Sequence, residues 1–377
     1  MSTRGLAVFL PSLEGGGAQR VMVTLANGFA ARGHRVDLVL GQRHGAYLGD
    51  VSPKVRVHDL GARRVLGAIV PLAAHLRRHR PLALLSAMSH ANAAAIIAAR
   101  LARVATRIVV SERVAISIEA ARAEGLTARS LYTALPRLYR LADVIIAVSK
   151  DAASDLERWG RLPGGSIRAI YNPAALGAIA AKASEPAQHP WFAEPGPPVV
   201  LGLGRLVEQK DFATLITAFA ALPKRCAARL MILGEGPLRP ALAGLARSFG
   251  LGEDRFQMPG FVANPFACLA RAAMFVLSSR WEGLPNALIE AMACGTPVVS
   301  TDCRSGPREI LEEGRWGRLV PVGDAEALAQ AIADILQTPR TELPDVRRRA
   351  RDFDQDLAID AYLEALGAPS LVTRESS

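Results

Sequence analysis

Within its first 40 residues this chain reads as strand, glycine-rich loop, helix and strand, and after residue 198 the pattern starts again. Leu6-Ala-Val-Phe-Leu is a compact apolar run of strand length, and Glu14-Gly-Gly-Gly-Ala-Gln-Arg20 is the loop after it. Val21 to Arg32 carries apolar residues at helical spacing (Val21, Leu25, Phe29) before Gly33 stops it, and Val36-Asp-Leu-Val-Leu40 is the next strand. A βαβ unit of this kind makes a parallel sheet, which receives ligands at the carboxyl ends of its strands. Val199-Val-Leu-Gly-Leu-Gly204 opens the second set. Between the two, residues 183–198 hold five prolines and end in Pro-Gly-Pro-Pro, the composition of a linker. The fold class expected is α/β, with two doubly wound parallel-sheet domains over about 1–180 and 195–350.

Composition narrows the function classes. With 377 residues, half of them hydrophobic, there is material for two cores. No run approaches the roughly 18 uncharged apolar residues of a membrane span; the most apolar window, 91–110, is broken by Arg100, Arg103 and Arg107. The apolar run before Glu14 is too short for a secretory signal. Cys226, Cys268, Cys294 and Cys303 lack paired spacing and read as core thiols of a reduced cytoplasm. A dehydrogenase is disfavoured, because Arg20 stands where the dinucleotide fingerprint needs its third glycine, and no Gly-Lys-Ser/Thr follows a strand. Residues 1–180 hold 24 Lys+Arg against 11 Asp+Glu, a net of +13, whereas residues 181–377 hold 21 against 24, a net of −3.

Residues 280–303 carry the densest chemistry. Glu282 lies in a loop with Gly283, Pro285 suits a helix start, Leu288, Ile289, Ala291 and Met292 suit a buried helix, and Gly295 ends it before a short strand. Glu290 is thus expected about two turns into the helix. The two carboxylates can face one small polar ligand, with the helix N-terminus between them available to phosphate. On these residues alone, a first-turn glutamate plus a solvated one fits equally well. Arg205 and Lys210, five apart after a strand, suit a diphosphate clamp or simply two solvated loop charges. His90 ends the Leu82–Ser89 strand region, and an ordinary polar loop role is more common there than a ligand contact.

Glu282-Gly-Leu-Pro-Asn-Ala-Leu-Ile-Glu290-Ala-Met-Ala-Cys-Gly-Thr-Pro-Val-Val resembles the signature of family 4 of the retaining, nucleotide-sugar-dependent glycosyltransferases. Gly-Arg205-Leu…Lys210-Asp-Phe is similar to that family's diphosphate-binding loop. The resemblance implies the GT-B architecture, two Rossmann-like domains facing across a cleft, with a C-terminal helix (about 352–377) crossing back to the first domain. It implies that Glu290 grips the donor ribose and Glu282 lies by the sugar, with Gly283 and Leu284 beside it. Arg205 and Lys210 would neutralise the leaving diphosphate, and Phe261 and Val262 would meet the nucleobase. Gly16 and Gly17 would border the donor phosphate and the acceptor, and His90 would touch the donor sugar. Gln19 departs from the glutamate common in the family. The Ile108–Arg113 strand could turn its polar end to the acceptor.

The function implied is retaining transfer from a nucleoside diphosphate sugar, UDP-hexose or UDP-N-acetylhexosamine. The acceptor implied is a lipid-linked, lipopolysaccharide or exopolysaccharide glycan. A sugar-nucleotide-binding protein without transferase activity is the alternative. No Asp-x-Asp pair stands where a metal-bound diphosphate would need one, so neither metal nor other cofactor is expected. The basic first half lacks a nucleic-acid motif and suits an anionic membrane surface. The segment 129–142 sets Arg129, Arg137 and Arg140 beside Leu131, Leu135, Leu138 and Leu141, and Arg77, Arg78 and Arg80 could join it. The location expected is cytoplasmic, peripheral on the inner face of the membrane. Residues 346–366 are expected to be helical, with Arg347, Arg348, Arg349 and Arg351 solvated.

Overall fold

The computed structural model describes residues 4–14, 16–223 and 226–368. They divide into two compact units, Met1–Pro173 with Gln355–Ser377, and Ala174–Asp354.

The first unit is built on seven strands: β1 (Leu6–Leu10), β2 (Val36–Leu40), β3 (Val55–Asp59), β4 (Ala83–Ala87), β5 (Arg107–Glu112), β6 (Val144–Ala147) and β7 (Ile167–Ala169). Their order is β3-β2-β1-β4-β5-β6-β7, and every pairing is parallel. β1, β2 and β4 are buried along their whole length, as helices on both faces require. The winding reverses between β1 and β4, so a gap opens there at the carboxyl ends of the strands.

The C-terminal helix spans Gln355–Ala365, shorter than the 352–377 expected, of which 369–377 lie outside the described residues, and it completes this unit. Ile359, Tyr362 and Leu363 join the core that Leu25 and Phe29 supply from the helix Gly17–Ala31. The two helices pass so closely that a Cβ on Gly28 would lie 2.3 Å from Ile359 Cδ1, which leaves room only for glycine. Arg32 closes the contact on Asp356 and Asp360, each at 2.8 Å.

The second unit repeats the design with β8 (Val199–Leu203), β9 (Arg229–Leu233), β10 (Phe256–Gly260), β11 (Met274–Leu277), β12 (Val298–Thr301) and β13 (Arg318–Val320). Their parallel order is β10-β9-β8-β11-β12-β13, so its reversal lies between β8 and β11.

Three expectations change. The proline-rich stretch is not the junction, which falls at Pro173/Ala174. The helix Leu176–Ser184 is tied into the second unit, because the Lys182 carbonyl accepts from Asn264 (2.9 Å) and the Ala183 carbonyl from Arg271 (3.2 Å). Residues 346–366 are not one helix but Arg347–Ala350, a 3-10 turn and Gln355–Ala365, broken where the chain leaves the second unit. Arg349 is not solvated: it is 9% exposed, donates to the Ile310 and Glu309 carbonyls at 3.0 and 2.9 Å, and pairs with Asp352 at 2.7 Å.

The helix Gly125–Tyr139 is also only partly the surface element expected. Leu135 and Tyr139 are buried in the first unit, while Leu131 and Leu138 are half-buried and Leu141 is 40% exposed.

Candidate active site

In the second unit the loops at the carboxyl ends of β8 and β11 meet where the winding reverses. After β8 the chain turns through Gly204 and Arg205, makes one 3-10 turn (Glu208–Lys210) and enters the helix Phe212–Ala220. Asp211 starts that helix from the left-handed region (φ 45°), accepting from the Thr214 amide at 3.4 Å and its hydroxyl at 2.9 Å. Arg280 donates to the same carboxylate at 3.0 Å. The Ser278 hydroxyl donates to the Lys210 carbonyl at 2.7 Å, and the Arg280 amide to the Gln209 carbonyl at 2.8 Å. The two loops are therefore laced together through their backbones.

This lacing fixes the central pair. Lys210 Nζ lies 2.5 Å from Glu282 Oε1, with the side chains 18% and 8% exposed. Ser279 donates to the same oxygen at 2.7 Å, and Gln209 Nε2 lies 3.5 Å from Oε2. A buried carboxylate met by a cation and neutral donors can stay charged at little cost. Arg205 stands exposed on the same loop, and among the described residues nothing pairs with its guanidinium.

Gly283 and Leu284 are buried, and the Gly283 carbonyl accepts from Ser305 at 2.9 Å. Pro285 then leads into the helix Asn286–Ala293, whose first turn has no carboxylate and no side-chain cap. Glu290 is its fifth residue, half-buried and a little over one turn in, rather than two turns deep. Phe261 and Val262 follow β10 at the same edge of the sheet, Phe261 82% exposed and Val262 half-buried. Cys303 lies under Glu282, and burial, then that carboxylate, pushes its thiol up to about 12. It and the other three cysteines are free and buried, inert thiols of the core.

The first unit brings Gly16, Gly17 and His90 to its own reversal point. Gly16 is extended and Gly17 begins the helix Gly17–Ala31, which thus starts four residues before the expected Val21. A Cβ on Gly16 would press on the Gln19 side chain at 2.6 Å. His90 is not on a loop. It is the exposed second residue of the helix Ser89–Ala102, which begins directly after Met88, a residue held in left-handed backbone (φ 78°). Such strain persists only where the surroundings enforce it. Here the Met88 amide donates to the Ser111 carbonyl at 3.2 Å, and the Met88 carbonyl accepts from Asn92 at 2.8 Å.

The polar end of β5 is turned inward. Glu112 is 1% exposed and accepts from Ser89 (3.1 Å), Asn92 (3.2 Å) and Tyr139. Burial raises its pKa to about 7, a shift those hydrogen bonds partly offset. Arg113 is engaged by Tyr362 at 3.2 Å and Asn172 at 2.5 Å.

Two family models match this chain: glycosyltransferase family 4 over residues 15–176 and glycosyl transferases group 1 over residues 197–338. The chain belongs to glycosyltransferase family 4. A curated relative from Campylobacter jejuni, the N-acetylgalactosamine-N,N'-diacetylbacillosaminyl-diphospho-undecaprenol 4-alpha-N-acetylgalactosaminyltransferase, is 33% identical over 235 residues, covering 61% of this chain and 62% of that protein. The lipopolysaccharide core biosynthesis glycosyltransferase LpsE of Rhizobium meliloti is 38% identical over 175 residues, covering 45% and 50%. The matched stretches span about half to six tenths of the length of these curated relatives. Anabaena HepE, solved in complex with UDP, superposes with a TM-score of 0.79 at 22% identity, over 96% of this chain and 99% of that one. The fold is therefore GT-B, a pair of Rossmann-like parallel-sheet domains.

Within this family 4 chain, the structure joins Lys210, Glu282, Gly283 and Leu284 in one corner, with Arg205 and Glu290 on the elements beside it. Gln209 and Ser279, which hold Glu282, are absent from the sequence-based candidates. Nothing in the sequence separates them from ordinary polar loop residues. Asp211 was more legible, since Asp211-Phe-Ala-Thr214 has the spacing of a helix cap.

Proposed function

We propose that this chain is a retaining glycosyltransferase that moves a sugar from a nucleoside diphosphate sugar to a glycan or lipid-linked acceptor. The observation that carries the reading is the Lys210–Glu282 pair, set where the second sheet reverses and flanked by Arg205. Charge develops on the leaving diphosphate as the glycosidic bond breaks, and cations placed in advance lower that barrier without reorganising. Lys210 and Arg205 take this role. Glu282, paired with Lys210, accepts from hydroxyls of the transferred sugar, and Glu290 from those of the ribose. Phe261 and Val262 border the base. Gly16 and Gly17 border the donor phosphate and the acceptor, and His90 reaches the transferred sugar. The acceptor hydroxyl attacks from the face the diphosphate leaves, so the anomeric configuration is kept.

The donor is a UDP-hexose or UDP-N-acetylhexosamine, in keeping with the UDP of the Anabaena structure and the N-acetylgalactosaminyl group of the Campylobacter name. The acceptor class follows the diphospho-undecaprenol and lipopolysaccharide core of the relatives' names. No metal is needed at the diphosphate, because Asp211, Glu282 and Asp302 are already engaged by Arg280, Lys210 and Arg308.

Glu290→Gln tests the donor half. A panel of nucleotide sugars screened by thermal shift identifies the donor, and calorimetry then compares the two proteins. Losing a charged hydrogen bond costs about 1.5–3 kcal/mol, so affinity should fall by roughly 10- to 150-fold with the fold intact. Unchanged affinity removes Glu290 from the site.

A further inference from the structure

The edge strand of the first sheet carries a cluster of three histidines that the proposed transfer does not use. His58 stands on β3, and His75 and His79 lie four apart on the helix Ile69–His79, so they share one face. The His58 and His75 rings meet edge-on with centroids 4.8 Å apart, His75 and His79 stack at 4.3 Å, and His58 and His79 are 5.3 Å apart. One ring nitrogen from each lies within 4.8 Å of the others.

Two independent observations point to a ligand. His75 is 8% exposed, and its Nε2 is buried without a hydrogen-bond partner, which native cores rarely tolerate. His58 Nε2 faces Asp37 Oδ1 at 3.1 Å, which leaves Nδ1 for another partner. Asp37 is itself 2% exposed and held by Arg56 at 2.6 Å. A metal-bound histidine almost always gives its second N–H to such a carboxylate, which fixes tautomer and ring orientation.

We propose that His58, His75 and His79 bind a divalent transition-metal ion, of which zinc best suits three imidazoles. Tetrahedral zinc with Zn–N bonds of about 2.0–2.1 Å sets its ligand nitrogens roughly 3.3 Å apart. Loading therefore draws the rings together from their 4.8 Å spread, and the half-buried His79 has room to turn. His79 ends its helix, where the carbonyl ends favour a cation. Arg56 and Arg78 oppose one, and Asp37 offsets Arg56 directly. The ion would staple edge strand β3 to the crossover helix, and it has no part in donor chemistry.

The test uses the full chain without an affinity tag, stripped by chelator and titrated with zinc by calorimetry and thermal melting. The expected result is one equivalent bound with a rise in melting temperature. Cobalt, used as a probe, should give the intense visible bands of a four-coordinate site. His75→Gln/His79→Gln should lose this binding, and Asp37→Asn should weaken it 10- to 100-fold. Failure of the wild type to bind zinc or cobalt in one saturable step overturns the site, whether or not the variants fold. Equal binding by a folded double variant overturns it as well.

Discussion

Lys210 and Glu282 make one ion pair whose carboxylate is buried and whose ammonium is partly so, and removing either member tests stability and chemistry at once. Lys210→Ala leaves a buried carboxylate without its cation, a change that costs about 3–5 kcal/mol in comparable pairs. Ser279 and Gln209 still donate to Glu282, which argues for the lower end. If Lys210 also stabilises the leaving diphosphate, turnover should fall more than KM rises. The double variant Lys210→Ala/Glu282→Gln separates the two effects, since removing the charge should restore stability in urea melts but not turnover. Full turnover of Lys210→Ala at saturating donor would contradict the clamp. At this scale the sequence supplied the charged residues, because their spacing around strands and glycines carries meaning. It did not supply Ser279, Gln209 or Ser278, whose roles come from two loops laid against each other.

Among the elements, the buried strands were the most legible. Leu6–Leu10 is apolar on both faces, as only an interior parallel strand needs to be, and Val36–Leu40 departs from that only at Asp37. Helix starts were less so. The helix at Gly17 begins earlier than expected and the one at Ser89 starts inside the stretch read as strand, since neither has a side-chain cap, and Met88 turns the chain by a strained backbone that no composition announces. Burial of Arg349 and Glu112 was hidden for another reason, since charged residues give no apolar pattern.

Glu112 joins β5 to the helices Ser89–Ala102 and Gly125–Tyr139, and it makes stability depend on pH. Its folded pKa of about 7 lies above the ordinary 4.5. Between those values the unfolded chain has lost a proton that the folded chain keeps. Its contribution is therefore full below pH 4.5 and fades as pH rises toward 7, by roughly 3 kcal/mol. Glu112→Gln should remove this component, so wild type minus variant should slope downward between those pH values in denaturant titrations. Parallel profiles would mean that Glu112 ionises normally.

For the molecule as a whole, the charge imbalance carries a prediction: if the acceptor is membrane-linked, the basic first half should meet anionic lipid. No helix among the described residues is long and apolar enough to cross a bilayer. On the first unit, Ile96, Ile97, Leu101, Leu138 and Leu141 line a depression of about 400 Å³ rimmed by Arg77, Arg100 and Arg103. Leu126 nearby in sequence is 84% exposed. Arginines around exposed leucines suit an anionic lipid surface, each contributing about 1 kcal/mol. Co-sedimentation should require anionic lipid, weaken with salt, and drop at least tenfold in Arg103→Glu/Arg137→Glu. Equal recovery in the supernatant under all conditions would indicate an acceptor met in solution.

Acceptor-dependent transfer by the full chain is the most direct test. With the donor found by thermal shift, released nucleoside diphosphate is measured with and without lipid-linked or lipopolysaccharide acceptors, in the presence of EDTA. Release should depend on acceptor, survive the chelator and match product one for one, with the donor's anomeric configuration retained in the new bond. A chain that binds the donor tightly yet releases nothing with any acceptor would be a sugar-nucleotide-binding protein. Release that fails in EDTA and returns with magnesium would contradict the metal-free clamp of Arg205 and Lys210.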